Sequence, residues 1–155
     1  MTAKADFNAD EWAVVIGAPL LTAMMVVAAD KGGSIRESVA VARVYGEARE
    51  QYDGELMSAL LATPPTATAN RPAKREDLHD AATTGLREAI AVLERVGTED
   101  DVVEYKRFVF SLAESVAKAH KEGGFLGVGG TEVSEPEQAA LDEIAAIFDE
   151  PPPAA

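Results

Sequence analysis

Residues able to do chemistry are sparse in this chain of 155 residues. The histidines are His79 and His120, and cysteine is absent. That absence excludes a thiol nucleophile, a disulfide framework and every thiolate metal site. Neither histidine belongs to an HExxH motif. No GxSxG elbow, GKS or GKT phosphate loop, EF-hand loop or paired Glu-x-x-His motif is found either. No catalytic residue is expected, and a non-enzymatic role is favoured. What remains is a set of acids at two glycine-rich junctions. Asp30 and Glu37 flank the first, and Glu122, Glu132 and Glu137 flank the second. Carboxylates are hard oxygen ligands, so these groups, if they converge, suit Ca²⁺ or Mg²⁺. Glu37 and Glu137 also have a purely structural role open to them, as the third residue of Ser-x-x-Glu capping boxes. No other cofactor is expected.

A further candidate is the segment GGFLGVGG, residues 123–130. Phe125, Leu126 and Val128 could tuck onto a core, or form an apolar tongue that touches a partner or ligand. The segment lacks the lysine of a phosphate loop, and its flanking acids repel phosphate.

Charge narrows the partners. There are 27 acidic residues against 14 basic ones, a net charge of -13. Such a field repels a phosphate backbone and an anionic membrane, so neither nucleic acid nor membrane is expected as a partner. After Lys121 the chain has acids and no Lys or Arg. That stretch reads as a solvated face and tail, or as a surface for a basic partner or divalent cations. The basic cluster Arg71, Lys74 and Arg75 is balanced by Glu76 and Asp77. The missing cysteines and the acidic, unsignal-like N-terminus fit a cytoplasmic protein.

The elements that must position these residues are all helical. Asn8 and Glu11 form a capping box, with Phe7 and Trp12 as a hydrophobic staple. The run Trp12 to Ala29 then carries no charge. Its length only reaches the lower limit for a membrane span, and its proline and acidic flank argue for a buried core helix. Pro19 should kink or divide it. Gly32 and Gly33 end it, and Ser34 with Glu37 opens the next helix. Asp53 and Gly54 interrupt that helix before a short one, Glu55 to Leu61. Residues 63–75, rich in Pro, Thr and Ala, form a loop between two helical halves. A helix from Glu76 to Val96 stops at Gly97. Thr98 and Asp101 open another, on which Val102, Tyr105, Val109, Leu112, Val116 and Ala119 form a narrow apolar seam. Ser134 and Glu137 cap the last helix, with Leu141, Ile144, Ala145 and Phe148 inward. Pro151 to Pro153 end it.

The expected fold is therefore all-α. It is one domain over residues 1–150, of about five to six helices, with a frayed tail at 151–155 and the apolar helix 12–29 at its centre. The expected core includes Trp12, Ile16, Leu20, Met24, Leu86, Ile90, Val109, Leu112, Val116, Ile144 and Phe148. The stretches 11–33 and 104–124 share a pattern, each a long helix ending in Gly-Gly before a Ser-x-x-Glu box, which suggests two related hairpins.

These junctions resemble the TerB family of tellurite-resistance-associated proteins. The first reads Val27-Ala28-Ala29-Asp30-Lys31-Gly32-Gly33, then Ser34 and Glu37. The second reads Ala117-Lys118-Ala119-His120-Lys121-Glu122-Gly123, then Ser134 and Glu137. Asp-Lys-Gly-Gly replaces the family's Asp-Gly in the first, and His-Lys-Glu-Gly with an inserted glycine loop replaces it in the second. The resemblance covers about a third of the chain. It implies a small helical stress-associated protein acting through a protein partner, with cation-binding junctions and no reaction of its own. Two alternatives stay open. One is a small-molecule binder or enzyme with a pocket near Pro19 and the 123–130 loop, and the other is a divalent-cation-binding regulator. A homo-oligomer is compatible with each.

Overall fold

A computed structural model describes residues 2–29, 35–63, 74–121 and 133–150. After a 3-10 turn at Lys4–Asp6 come α1 (Ala9–Ala29), α2 (Ile35–Gln51), α3 (Glu55–Ala62), α4 (Arg75–Val96), α5 (Glu99–Lys121) and α6 (Glu135–Phe148). No strand occurs among the described residues, as the 3.6-residue periodicity requires.

The helix starts are built as their sequences dictate. The Asn8 amide donates to Glu11 and the Glu11 amide to Asn8 Oδ1, both at 2.9 Å. Phe7 and Trp12 meet in a tilted contact with ring centroids 5.6 Å apart, closing the staple. Thr98 and Asp101 exchange amide bonds of 2.9 and 3.2 Å at the start of α5. Ser134 and Glu137 do the same for α6, at 3.1 and 3.4 Å. These boxes satisfy amide groups that a helix start leaves without partners. The box of Ser34 and Glu37 lies outside the described side chains.

Helix ends use basic side chains. Arg49 Nε donates to the Leu61 carbonyl at 2.9 Å, and Lys106 Nζ to the Phe148 carbonyl at 2.9 Å. Each puts a cation on the negative end of a helix dipole. Gly97 ends α4 with φ of −89°, which any residue tolerates. It must be glycine for another reason: a Cβ there would lie 2.9 Å from the Leu93 carbonyl oxygen.

α5 packs against all five other helices, and α1 packs against α4, α5 and α6. The apolar α1 and the amphipathic α5 thus share the centre. α5 contributes Tyr105, Phe108, Val109, Leu112, Ala113, Val116 and Ala117, all essentially inaccessible. Tyr45 and Tyr52 meet Phe108 edge-on, with centroids 5.1 and 6.5 Å away. α1 and α2 do not form the expected hairpin: α1 lies chiefly on α4, and α2 on α5. α5 and α6 do pack together.

Pro19 neither divides α1 nor pushes Ala18 out of helical geometry. The reason lies in another helix. A proline has no N–H, so the carbonyl four residues earlier, that of Val15, loses its helical donor. The Tyr105 hydroxyl of α5 donates to that carbonyl at 2.7 Å, in a fully buried position. The Thr22 hydroxyl adds a donor to the Ala18 carbonyl at 2.8 Å.

Candidate functional site

The helix with the strongest claim to the interior keeps an open side. Trp12, Val15, Ala18, Pro19, Thr22, Ala23, Met25 and Val26 of α1 are buried. Ile16, Leu20 and Met24, expected in the core, are only half-buried, and so is Phe148. Ile16 and Phe148 still pack on the edge of the core. Leu20 and Met24 stand outside it. Because α1 is apolar all round, its composition does not say which side faces inward. The contact with α4 and the Val15–Tyr105 bond decide it.

α1 and α4 run antiparallel. Arg95 near the end of α4 pairs with Glu11 at the start of α1, and Leu78 near the start of α4 borders the same cavity as Ala28 at the end of α1. Along their seam lies a groove of about 540 Å³. Ala13, Ile16, Gly17 and Leu21 form its α1 wall, and Ala81, Thr84 and Gly85 its α4 floor. Gly85 leaves room that a Cβ would take, at 3.8 Å from Leu21 Cδ1.

The rim is acidic. Asp80 and Glu88 border the groove. Asp77 precedes them by three and eleven residues on the same face of α4, and Asp10 extends the face of Ala13 and Gly17 on α1. Asp10, Asp77 and Glu88 form no ion pair with a described residue. α1 has no Lys or Arg. Of the arginines in α4, Arg87 is held by Glu150 at 2.9 Å and Arg95 by Glu11, and the side chain of Arg75 lies outside the described ones.

The titratable groups beside the groove do not form a catalytic set. His79 Nε2 meets Glu143 at 2.8 Å, and Nδ1 meets Asp80 at 3.3 Å. The hydrogen bonds from Glu143 and then Asp80 hold the imidazole pKa above its ordinary value. Both ring nitrogens are engaged by carboxylates, so neither is free to act as a base. The pair ties α4 to α6 at the mouth of a smaller cavity, about 240 Å³, lined by Met25, Leu78 and Ala140 among others. Burial pushes the Tyr45 hydroxyl up to about 12 and Tyr105 well above its usual range. Tyr105 does point inward beside Pro19, but its hydroxyl is committed to Val15.

Of the acids expected at the junctions, Asp30, Glu122 and Glu132 lie outside the described residues, as does the side chain of Glu37. Glu137 is completely buried. Its Oε2 accepts from the Ser134 amide at 3.1 Å and the Ser134 hydroxyl at 3.0 Å, while Oε1 has no partner among the described residues. No group of three potential metal ligands occurs among the described residues. The segment with Phe125, Leu126 and Val128 is also outside them. A pocket near Pro19 was one expectation, and Ala18 lines this groove, but the pairing of α1 with α4 that forms it was not anticipated. Its only trace in the sequence is that the run 12–29 is apolar on more sides than a bundle needs. No family model, curated protein or solved structure matches the chain.

Proposed function

We propose that this chain is a non-enzymatic helical protein that works by protein–protein interaction, with the α1–α4 groove and the adjoining open face of α1 as its contact surface. One observation carries the reading. The most apolar helix of the chain leaves Leu20 and Met24 outside the packed core, beside a groove walled by Ile16 and Leu21. Fully burying such a side chain is worth roughly 1.5–3 kcal/mol. No more than about a third of each of Ile16, Leu20, Leu21 and Met24 remains accessible, so covering it contributes at most about 1 kcal/mol each, or at most about 4 kcal/mol together. Association itself costs about 4–15 kcal/mol. Apolar contact alone brings a partner only to the lower edge of that range, so complementary polar contacts must supply the affinity.

The TerB-like resemblance would place the chain in a stress response. It rests on junction residues of which Asp30 to Ser34, Glu122 and Gly123 lie outside the described segments, and it adds no contact to this surface. A cytoplasmic setting belongs to the same proposal.

The test is a pull-down from native lysate with the unaltered chain and with Leu20→Ser plus Met24→Ser, circular dichroism confirming that both are folded. A protein captured by the first and lost by the second is the expected result. Capture that the substitutions leave unchanged, or no capture at all, refutes the reading.

A further inference from the structure

We infer that the occupant of the α1–α4 groove is an amphipathic helix of a partner protein, apolar on one face and flanked by Lys or Arg. The inference rests on the interaction reading above and names the partner's chemistry. Between Ala13 and Leu21 on one side, and Asp80 and Glu88 on the other, the groove runs for about 12 Å along each helix. That length matches about two turns of a helix, whose apolar positions recur at three and four residues.

The charge selects among occupants. Glu88 and Asp80, the latter also facing His79 Nδ1 at 3.3 Å, border the apolar walls, and Asp10 and Asp77 extend the same faces. No Lys or Arg is among the groove residues, and the Arg87 and Arg95 guanidinium groups are drawn to Glu150 and Glu11. A second copy would bring another net charge of -13 against this rim. A membrane with anionic lipid would be repelled in the same way. A helix with basic flanks places its apolar face on Ile16 and Leu21 and its cations beside Asp80 and Glu88. This supplies the polar complement that the apolar contact lacks.

The probe is a synthetic helical peptide of Leu and Lys, titrated by calorimetry into the full chain and mapped by amide NMR shifts. Its controls are a scrambled peptide of the same composition and a Leu–Glu peptide of the same pattern. The expected result is binding of the patterned Leu–Lys helix alone, with shifts at residues 13–21 and 80–88. Glu88→Lys should weaken it about fivefold, Asp80→Lys with Glu88→Lys more than tenfold, and added salt likewise. Leu20→Ser, at a half-buried position outside the packed core, tests the apolar contact, with circular dichroism confirming the fold. Shifts that map to other helices overturn the inference, as does equal binding of the scrambled peptide or indifference to Glu88→Lys. So does a dimer, or binding to phosphatidylcholine vesicles, that Leu20→Ser abolishes. If only the Leu–Glu peptide binds in the groove, the partner's charge is wrong and the interaction reading survives. If lysate capture is also independent of Leu20 and Met24, both fall.

Discussion

The bond between Tyr105 and Val15 gives the sharpest test of how this fold is held, because two separate residues create the need for it. Tyr105→Phe removes the donor and nothing else of size. The Val15 carbonyl is then left buried, since Pro19 cannot supply an N–H and the site is closed to water. An unsatisfied buried acceptor costs about 1–3 kcal/mol. Pro19→Ala restores the missing N–H at position 19. In that background the carbonyl has its helical donor, and Tyr105→Phe should cost less than about 0.5 kcal/mol, since the buried hydroxyl no longer has a carbonyl to rescue. The coupling between the two positions is therefore about 1–2 kcal/mol. Urea unfolding of the four proteins, with the slope unchanged so that the midpoint reports stability, measures it. Equal cost of Tyr105→Phe in both backgrounds, or no cost with Pro19 present, would refute the reasoning. The continuity of α1 would then rest on packing alone.

Other consequences can be checked in the same assay. Leu112→Ala, at a site with no exposure, should cost about 2–5 kcal/mol, whereas Leu20→Ser should change stability by less than about 1 kcal/mol. Equal losses would mean that the open face of α1 is closed in solution. Thr98→Ala removes the cap of α5 and should cost about 1 kcal/mol. The His79 clip has a pH signature. Its pKa is raised in the folded state by Glu143 and then Asp80, so its contribution is full below the unfolded value of about 6.5 and is lost as pH rises through the folded value. The side chain is half exposed, so the effect should stay under about 1 kcal/mol. A difference between wild type and His79→Gln that grows with rising pH would contradict the pairing. At the acid end the sign reverses. The Asn8 amide and then Arg95 hold Glu11 low, and Arg87 holds Glu150 low, so their stabilisation is present above about pH 4.3 and fades as pH falls through the lowered values. A stability that is flat between neutral pH and pH 3 would contradict both pairs.

The helix boundaries were largely legible before any tertiary contact. The boxes of Asn8 with Glu11, Thr98 with Asp101 and Ser134 with Glu137 depend on residues three apart, so local geometry alone dictates them. The seam of α5 was legible for a similar reason: Tyr105, Val109, Leu112 and Val116 alternate with charged residues, and only one side can turn inward. α1 lacks that contrast. With apolar residues on every side, its sequence could not say that Val15, Ala18 and Val26 would be buried while Leu20 and Met24 would not. The continuity of α1 through Pro19 was likewise hidden, because the donor that permits it lies 90 residues away. The groove follows from both. Its walls belong to helices some sixty residues apart, and Glu88 on its rim has no ion pair among the described residues because Arg87 and Arg95 reach Glu150 and Glu11 instead. The sequence by itself determined which segments are helical and where they start. The tertiary structure decided which face of the apolar helix remains open, because burial is a property of neighbours and not of the chain that carries the residue.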